Sequence, residues 1–212
     1  MSRIRLLAAK SAVLGLASLT VLGFAGCASP GGAVTNAPTT AASQSPTPSP
    51  TPTAVAADPD DVSTWVITTD GIGPIERGAP YQEVVAGLPA FETSEWCPWV
   101  VELSTEGAAS LLLTHPEGGD EVASVWVMGR ADEAGVVPAS PTTEAGIRLG
   151  SALDELTAAY PGLQQVNQTA ADSFGYAVGD DTEGYVDFVV EDDVVVLIGV
   201  QEVAGVPKEF CG

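Results

Sequence analysis

Cysteine and histidine are the side chains of this 212-residue chain best suited to covalent or metal chemistry, and there are few of them. The cysteines are Cys27, Cys97 and Cys211, and the single histidine is His115. A Ser-His-Asp triad would have to use His115, but the G-x-S-x-G motif that presents the serine of many hydrolases is absent. No glycine-rich stretch continues into the Lys and Ser/Thr of a phosphate-binding loop. We therefore expect no catalytic residue, no enzymatic activity and no cofactor.

Acidic residues are confined to the second part of the chain. All 28 of them lie within residues 58–212, where four cations against 28 acids give a formal net charge of −24. Those four cations are Arg77, Arg130, Arg148 and Lys208. A field of this sign repels phosphate backbones, so the composition excludes a nucleic-acid partner.

One turn bounded by glycines carries an acidic cluster of Asp180, Asp181 and Glu183. Carboxylates of this kind bind calcium in some loops, but the D-x-[DN]-x-[DN]-G spacing is absent here. A solvated turn is the favoured interpretation, and the three residues are only weak candidates for metal ligands. Zinc would require more Cys or His than the chain offers.

The leader, residues 1–26, has the layout of a secretory signal peptide. Three basic residues precede an uncharged segment, Ser11–Phe24, that is shorter than the about 20 apolar residues of a membrane-spanning helix. The segment runs into Phe-Ala-Gly-Cys at residues 24–27, which resembles the lipobox of bacterial lipoproteins. The resemblance implies that Cys27 carries a diacylglycerol on its sulfur and becomes the first residue of the mature chain. The alternative is an ordinary signal peptide that happens to contain a cysteine.

Residues 27–57 connect the lipidated cysteine to the acidic part of the chain. They consist almost wholly of Ala, Ser, Thr, Pro and Gly, without charge or apolar periodicity. Such a segment buries too little apolar surface to offset its ordering entropy. We expect a disordered tether with extended polyproline II stretches.

Cys97 and Cys211 remain once Cys27 is assigned to the lipid. In a chain directed to an oxidising compartment, an even pair favours a disulfide. Two free thiols and a metal site are the alternatives. Trp96 and Trp99 flank Cys97, and we expect them to pack over the disulfide, with a sugar-stacking platform as the alternative.

Two segments of the acidic part, Gly73–Phe91 and Ala145–Leu163, resemble each other at a constant offset. Each contains Ile-x-x-Gly, then a pattern of apolar residues at helical spacing, then a proline. The shared glycines are Gly78 and Gly150. This self-similarity predicts that one structural unit occurs twice.

A helix is predicted in each segment, over about residues 79–88 and 152–160, from the spacing of the apolar residues. Ser151 and Asp154 lie three residues apart and are a candidate capping pair for the second helix. The prolines that follow end both helices.

Three strands are predicted after each helix, and a lead strand is predicted over residues 64–69. The predicted strands cover residues 99–104, 109–114 and 122–128 in the first unit, and 173–178, 185–190 and 194–200 in the second. This order predicts an α+β fold of two tandem α-β-β-β repeats, with short helices on one face of an antiparallel sheet. The folded domain is expected over 58–212, with repeat 1 at about 64–130, repeat 2 at about 142–205, and a tail that carries Cys211.

Residues 71–78 read GIGP-x-x-x-G, and residues 142–150 read TT-x-x-GIR-x-G. These phrases at the start of each repeat resemble those of a family of actinobacterial-type extracytoplasmic lipoproteins with tandem helix-plus-meander repeats. The repeat is also distantly similar to β-lactamase inhibitor proteins and to the small lipoprotein of outer-membrane assembly. The resemblance implies a non-catalytic binding or scaffold role, and it assigns no ligand-binding residue.

These observations predict a lipid-anchored binding or scaffold module on the extracytoplasmic face of the cell membrane, with an envelope protein or polymer as partner. The alternatives are an extracytoplasmic inhibitor of a hydrolase and a small-molecule or metal-binding module. A broad apolar patch on the open sheet face would favour the scaffold, and a protruding loop with an acidic or aromatic tip would favour the inhibitor. A deep pocket with converging polar groups would favour the small-molecule site.

Overall fold

A computed structural model describes residues 57–211 of the chain, which form a mostly β structure with two sheets and two short helices. Residues 1–56 include the predicted signal peptide, Cys27 and nearly all of the predicted tether, and these predictions lie outside the described residues. Within the described part, none of the helices has the length and apolar character needed to cross a membrane.

The elements of the first half follow a short 3-10 turn at Val62–Thr64. They are β1 (Val66–Thr68), β2 (Gly71–Ile72), β3 (Ile75–Glu76), α1 (Tyr81–Ala86), β4 (Glu92–Cys97), β5 (Val100–Ser104), β6 (Ser110–Thr114) and β7 (Ser124–Met128). The second half contains β8 (Thr142–Thr143), α2 (Leu153–Ala159), β9 (Gln164–Ala170), β10 (Ser173–Asp180), β11 (Gly184–Glu191) and β12 (Val194–Gln201).

The large sheet has eight antiparallel strands in the order β4-β5-β6-β7-β12-β11-β10-β9. Each half contributes a four-stranded meander, and the two meanders meet where β7 pairs with β12. The edges of the sheet are therefore β4 and β9. The predicted lead strand is the shorter β1, and it belongs to a separate small sheet of order β3-β2-β1-β8.

One face of the large sheet, called the covered face here, packs in a single core with both helices and the small sheet. Leu103, Leu111, Phe188 and Ile198 are buried on the strands, and Leu156 of α2 is buried against them. Burying each such side chain contributes about 1.5–3 kcal/mol relative to leaving it exposed. The alternation of side chains along each strand then leaves a second face, called the open face, on the side away from the helices.

The sequence pattern does not predict the two edge strands of the large sheet, nor the two-residue strands β2, β3 and β8 of the small sheet. Each helix is followed by four strands, so the expectation of three strands per unit is wrong. β4 (Glu92–Cys97) is exposed along nearly all of its length, and β9 (Gln164–Ala170) is rich in Gln, Asn and Thr. Because an edge strand has few buried side chains, its sequence lacks the apolar alternation by which an inner strand is recognised.

The start of α2 lies one residue later than the predicted capping pair implies. Ala152 is the residue that precedes the helix, and its N–H donates to the Glu155 carboxylate at 2.9 Å. Ser151 instead accepts a hydrogen bond from Val195 N–H through its own carbonyl, at 2.9 Å. This pairing with β12 fixes the backbone before the helix begins, so the Ser151–Asp154 prediction is wrong.

Gly78 and Gly150 occupy matching places before the two helices. Both have positive φ, 78° and 83°, which glycine adopts without steric cost. Gly78 N–H donates to Val122 O, and Gly150 N–H donates to Val195 O, both at 2.8 Å. The return bonds also match, since Val122 N–H donates to Ala79 O as Val195 N–H does to Ser151 O, both at 2.9 Å. Gly150 thereby ties the start of α2 to β12, and Gly78 ties the start of α1 to the residues just before β7.

Candidate functional site

The middle of the open face is apolar, although it lies on the side of the sheet away from the helices. Its buried side chains are Val100, Leu112, Trp126, Val189 and Leu197. Gly199 makes room for the Trp126 ring, because a Cβ at residue 199 would overlap the indole. The indole N–H donates to Ser124 Oγ at 2.7 Å, so the one polar atom of the ring is satisfied. Burial of these residues requires something to cover this face.

The cover is the segment Glu202–Cys211, which we call the strap. It follows β12 and turns back across the open face, with Val206 packed in the same apolar cluster and Phe210 against it. Val206 lies above Gly175, where a Cβ would come within 3.1 Å of Val206 Cγ2. The missing side chain at residue 175 therefore leaves space for the strap.

Polar side chains of the second half hold the beginning of the strap. The Asn167 amide on edge strand β9 binds both backbone groups of Val206: Nδ2 donates to its carbonyl at 2.8 Å, and Oδ1 accepts from its N–H at 3.3 Å. Asp187 on β11 accepts from Gly205 N–H at 2.8 Å and from Gln201 Nε2 at 2.9 Å. These contacts replace the backbone ladder that an additional strand would make.

Asp187 is a fully buried carboxyl group, with 0% of its surface exposed. Burial raises its pKa above the ordinary 3.8, because the charged form loses its hydration. The hydrogen bonds from Gly205 and Gln201 act in the opposite direction on the pKa, and burial is the larger effect. Burying this carboxyl group costs folding free energy, and the group lies at the point where the strap leaves the sheet.

The first half holds the end of the strap. The Phe210 ring meets Trp126 edge-on, with ring centroids 5.4 Å apart and planes at 73°. Trp99 Nε1 donates to Phe210 O at 3.2 Å. Cys211 is joined to Cys97 of edge strand β4 by a disulfide across a sequence separation of 114 residues, as the sequence predicts. The strap is thus fixed to β9 at one end and to β4 at the other, the two opposite edges of the large sheet.

The two tryptophans beside Cys97 have different environments. Trp99 is partly buried in the open-face cluster and packs there with Cys97 and Phe210, in agreement with the packing interpretation. Trp96 is 45% exposed, and its indole N–H donates to Glu102 at 2.9 Å. Trp96 is therefore the aromatic side chain of the pair that a partner can reach.

The acidic turn between β10 and β11 uses its carboxylates for local structure. Asp180 accepts from the N–H groups of Glu183 and Thr182 at 3.0 and 2.8 Å, which lowers the Asp180 pKa. Asp181 accepts from the Tyr185 hydroxyl at 2.8 Å. Among residues 57–211, no three His, Cys, Asp or Glu side chains are gathered as metal ligands would be.

The remaining sequence candidates lie apart from the strap. His115 stacks on Tyr81 with ring centroids 5.0 Å apart, in an exposed turn. Arg77 donates to the carbonyls of Thr69 and Glu183, at 2.8 and 2.9 Å, and Arg130 forms a bidentate ion pair with Glu191. Arg148 lines an open cleft of about 840 Å³ beside the start of α2. Its walls contain both polar and apolar groups and the cleft is open to solvent, unlike the deep pocket that a small-molecule module would need.

The residues that hold the strap are those that sequence reasoning missed. Asn167, Asp187 and Trp126 have no mutual spacing along the chain, since they lie on three different strands. The available signal was Cys211, because a disulfide to Cys97 requires the segment before it to return across the sheet. Compared with known protein families the chain matches no family model, and it has no match among curated proteins either.

Proposed function

We propose that this chain is a lipid-anchored, non-catalytic protein that acts as a binding or scaffold module on the extracytoplasmic face of the cell membrane. The observation that carries the proposal is the Cys97–Cys211 disulfide. Structural disulfides form and persist in oxidising compartments and are rare in the cytosol. Since the disulfide uses two of the three cysteines, Cys27 is the thiol left for the lipid, where the leader resembles a lipobox.

The architecture of the module is proposed as a duplicated α+β unit, a helix followed by a meander. Support comes from bonds that recur at matching places, including Tyr81 N–H to Asp120 O and Leu153 N–H to Asp193 O. Isolated bridges also recur, between Pro80 and Glu121 in one half and between Ala152 and Val194 in the other. A duplicated framework of this kind presents one wide sheet and two sets of loops, which suits recognition of an extended partner.

The partner is proposed to be an envelope protein or polymer with a neutral or basic surface. A domain with four cations and 28 acids attracts basic surfaces and repels anionic ones. Trp96 offers an exposed aromatic contact at the β4 edge, and tryptophan is enriched among the residues that dominate binding energy.

Crosslinking in the native envelope tests the binding role. The intact lipoprotein is crosslinked in its own membrane, and the captured proteins and polymers are identified by mass spectrometry. A matched chain with Cys27→Ser is treated in the same way. We expect a specific partner with the intact protein that is depleted in the variant, because the variant is no longer concentrated at the membrane. Recovery of the same background from both chains would contradict the proposal.

Metabolic labelling with a fatty acid tests the anchor separately. The label is expected on the intact chain and not on the Cys27→Ser chain. Label that persists in the variant would show that Cys27 is not the lipidated residue.

A further inference from the structure

The open face binds the strap as it would bind a separate peptide. Its contacts come from side chains of the sheet, with Asn167 bracketing the N–H and carbonyl of Val206 and Asp187 accepting from Gly205 N–H. Two apolar anchors fill the surface: Val206 above Gly175, and Phe210 against Trp126. The face therefore holds an irregular segment, bent at several residues, with an aliphatic residue and, four positions later, an aromatic residue.

Charge favours a basic residue in such a segment. The strap carries one cation, Lys208 between the two anchors, against two acids, Glu202 and Glu209, so the preference for a basic segment comes from the acidic domain and not from the strap's own net charge. The Asp187 carboxyl lies under the strap, and Glu102 lies beside Trp96 at the far end. A cationic segment approaching this face gains from the attraction of the whole acidic domain.

A single covalent bond keeps the strap from exchanging with a competitor. Cys211 is exposed and Cys97 is only partly buried, so a thiol can approach this bond from solvent. A dithiol reductant would attack Cys211 Sγ with one thiolate and release Cys97 as a thiolate. The second thiol of the reductant would then displace Cys211, leaving two cysteine thiols and an oxidised dithiol. Two electrons and two protons pass from the reductant to the protein.

We propose that the open face is a docking groove for a basic segment with an aliphatic residue followed four positions later by an aromatic residue. The strap is its resident occupant, and reduction of Cys97–Cys211 by a dithiol allows the partner segment to replace it. This inference rests on the binding role proposed above and names the surface and the chemistry of the partner.

The strap peptide itself is the probe that tests the groove. A labelled peptide with the sequence of residues 201–211 and Cys211→Ser is titrated against three full chains by fluorescence anisotropy. The first chain carries Phe210→Ala and Cys211→Ser, because a tethered strap with its anchor intact would outcompete the peptide through its high effective concentration. The second is the oxidised unaltered chain. The third carries Val203→Ala, a matched strap change at a side chain that is 70% exposed.

We expect saturable binding to the first chain only, since the other two retain both the anchor and the disulfide. A peptide that also carries Phe210→Ala should bind at least about tenfold more weakly, because the aromatic anchor fills the centre of the site. A peptide with Lys208→Glu should bind more weakly than the original peptide at low salt, and the two affinities should become similar at high salt. Absence of saturable binding to the first chain, or equal binding to the oxidised unaltered chain, would overturn the inference.

Circular dichroism decides whether the first chain is folded. If it is not, the peptide is offered to a chain that carries Phe210→Ala alone, is folded with its disulfide and is then reduced with a phosphine, and absence of binding there would likewise overturn the inference. This outcome can be told apart from failure of the proposed function. If the oxidised chain captures a partner at the membrane but the opened chain binds no peptide, the binding role stands and the docking groove is refuted.

Discussion

The two halves of the large sheet begin alike and end differently. In each half a glycine with positive φ, Gly78 or Gly150, ties the start of the helix to the last strand of the meander or to the residues just before it. After β7 the chain continues to the small sheet, whereas after β12 it turns back as the strap over the open face. What the two halves share is mostly backbone hydrogen bonds that build the sheet. What differs between them is the set of side chains that hold the strap.

The two halves also supply different parts of the strap site. The first half provides Cys97, Trp99 and Trp126 for the end of the strap, and the second provides Asn167 and Asp187 for its beginning. The strap therefore joins the halves across the whole width of the sheet. The hydrogen bonds that recur in both halves help to build the sheet, and the side chains that differ mark the surface where function is proposed.

The largest effect is expected from removing the bond between the strap and the first half. Cys211→Ser should lower the free energy of unfolding by up to about 4–5 kcal/mol, because the disulfide closes a loop of more than a hundred residues in the unfolded chain. Urea denaturation followed by circular dichroism measures the change. The unaltered chain in the presence of a reductant should show the same midpoint, and a midpoint equal to that of the oxidised protein would contradict this role.

The two matched glycines should respond unequally to alanine. Gly78→Ala should cost about 1–2 kcal/mol, the strain of a left-handed conformation with a Cβ, since nothing lies within 4 Å of the added atom. Gly150→Ala should cost more, because its Cβ would also lie 2.9 Å from Val137 Cγ2. Thermal and urea unfolding of the two variants measure the order, and a larger loss for Gly78→Ala would contradict the comparison.

A smaller effect is expected at the β9 edge. Asn167→Ala should lower stability by about 1–2 kcal/mol, because the two backbone groups of Val206 lose their partner. Gln165→Ala is the matched control, an exposed polar residue of the same strand. Equal unfolding midpoints for the two variants would show that the Asn167 contacts with the strap contribute no stability.

The smallest effect is a dependence on pH that Asp187 confers. Burial raises its pKa in the folded state, so the folded chain binds this proton more tightly than the unfolded chain. Its contribution is favourable at acid pH and is lost as the pH rises through the raised folded-state pKa. The free energy of unfolding of the unaltered chain, minus that of the Asp187→Asn chain, should therefore fall with rising pH. The fall begins at about pH 3.8, the ordinary carboxyl pKa, and continues towards neutrality. The exposed turn residue Glu106 supplies the control, Glu106→Gln, and an equal slope for both variants would contradict the assignment.

Sequence reasoning succeeds where side-chain chemistry repeats along the chain. Both helices and the six inner strands follow from apolar spacing, and the disulfide follows from the number of cysteines and from the predicted destination of the chain. The edge strands escape prediction because their side chains face water, and the strap escapes because Asn167 and Asp187 find their partners only after the sheet has formed. The lipid on Cys27 lies outside the described residues and stays a prediction.

Hydrogen exchange at the strap tests most directly whether the disulfide holds it on the open face. The amides of Gly205 and Val206 bond to Asp187 and Asn167 in the oxidised protein, so both should be protected. Reduction should lower that protection at both amides, because the strap can then open, while the paired amides of β11 keep theirs. Unchanged protection of Gly205 and Val206 after full reduction would contradict a strap that the disulfide keeps closed.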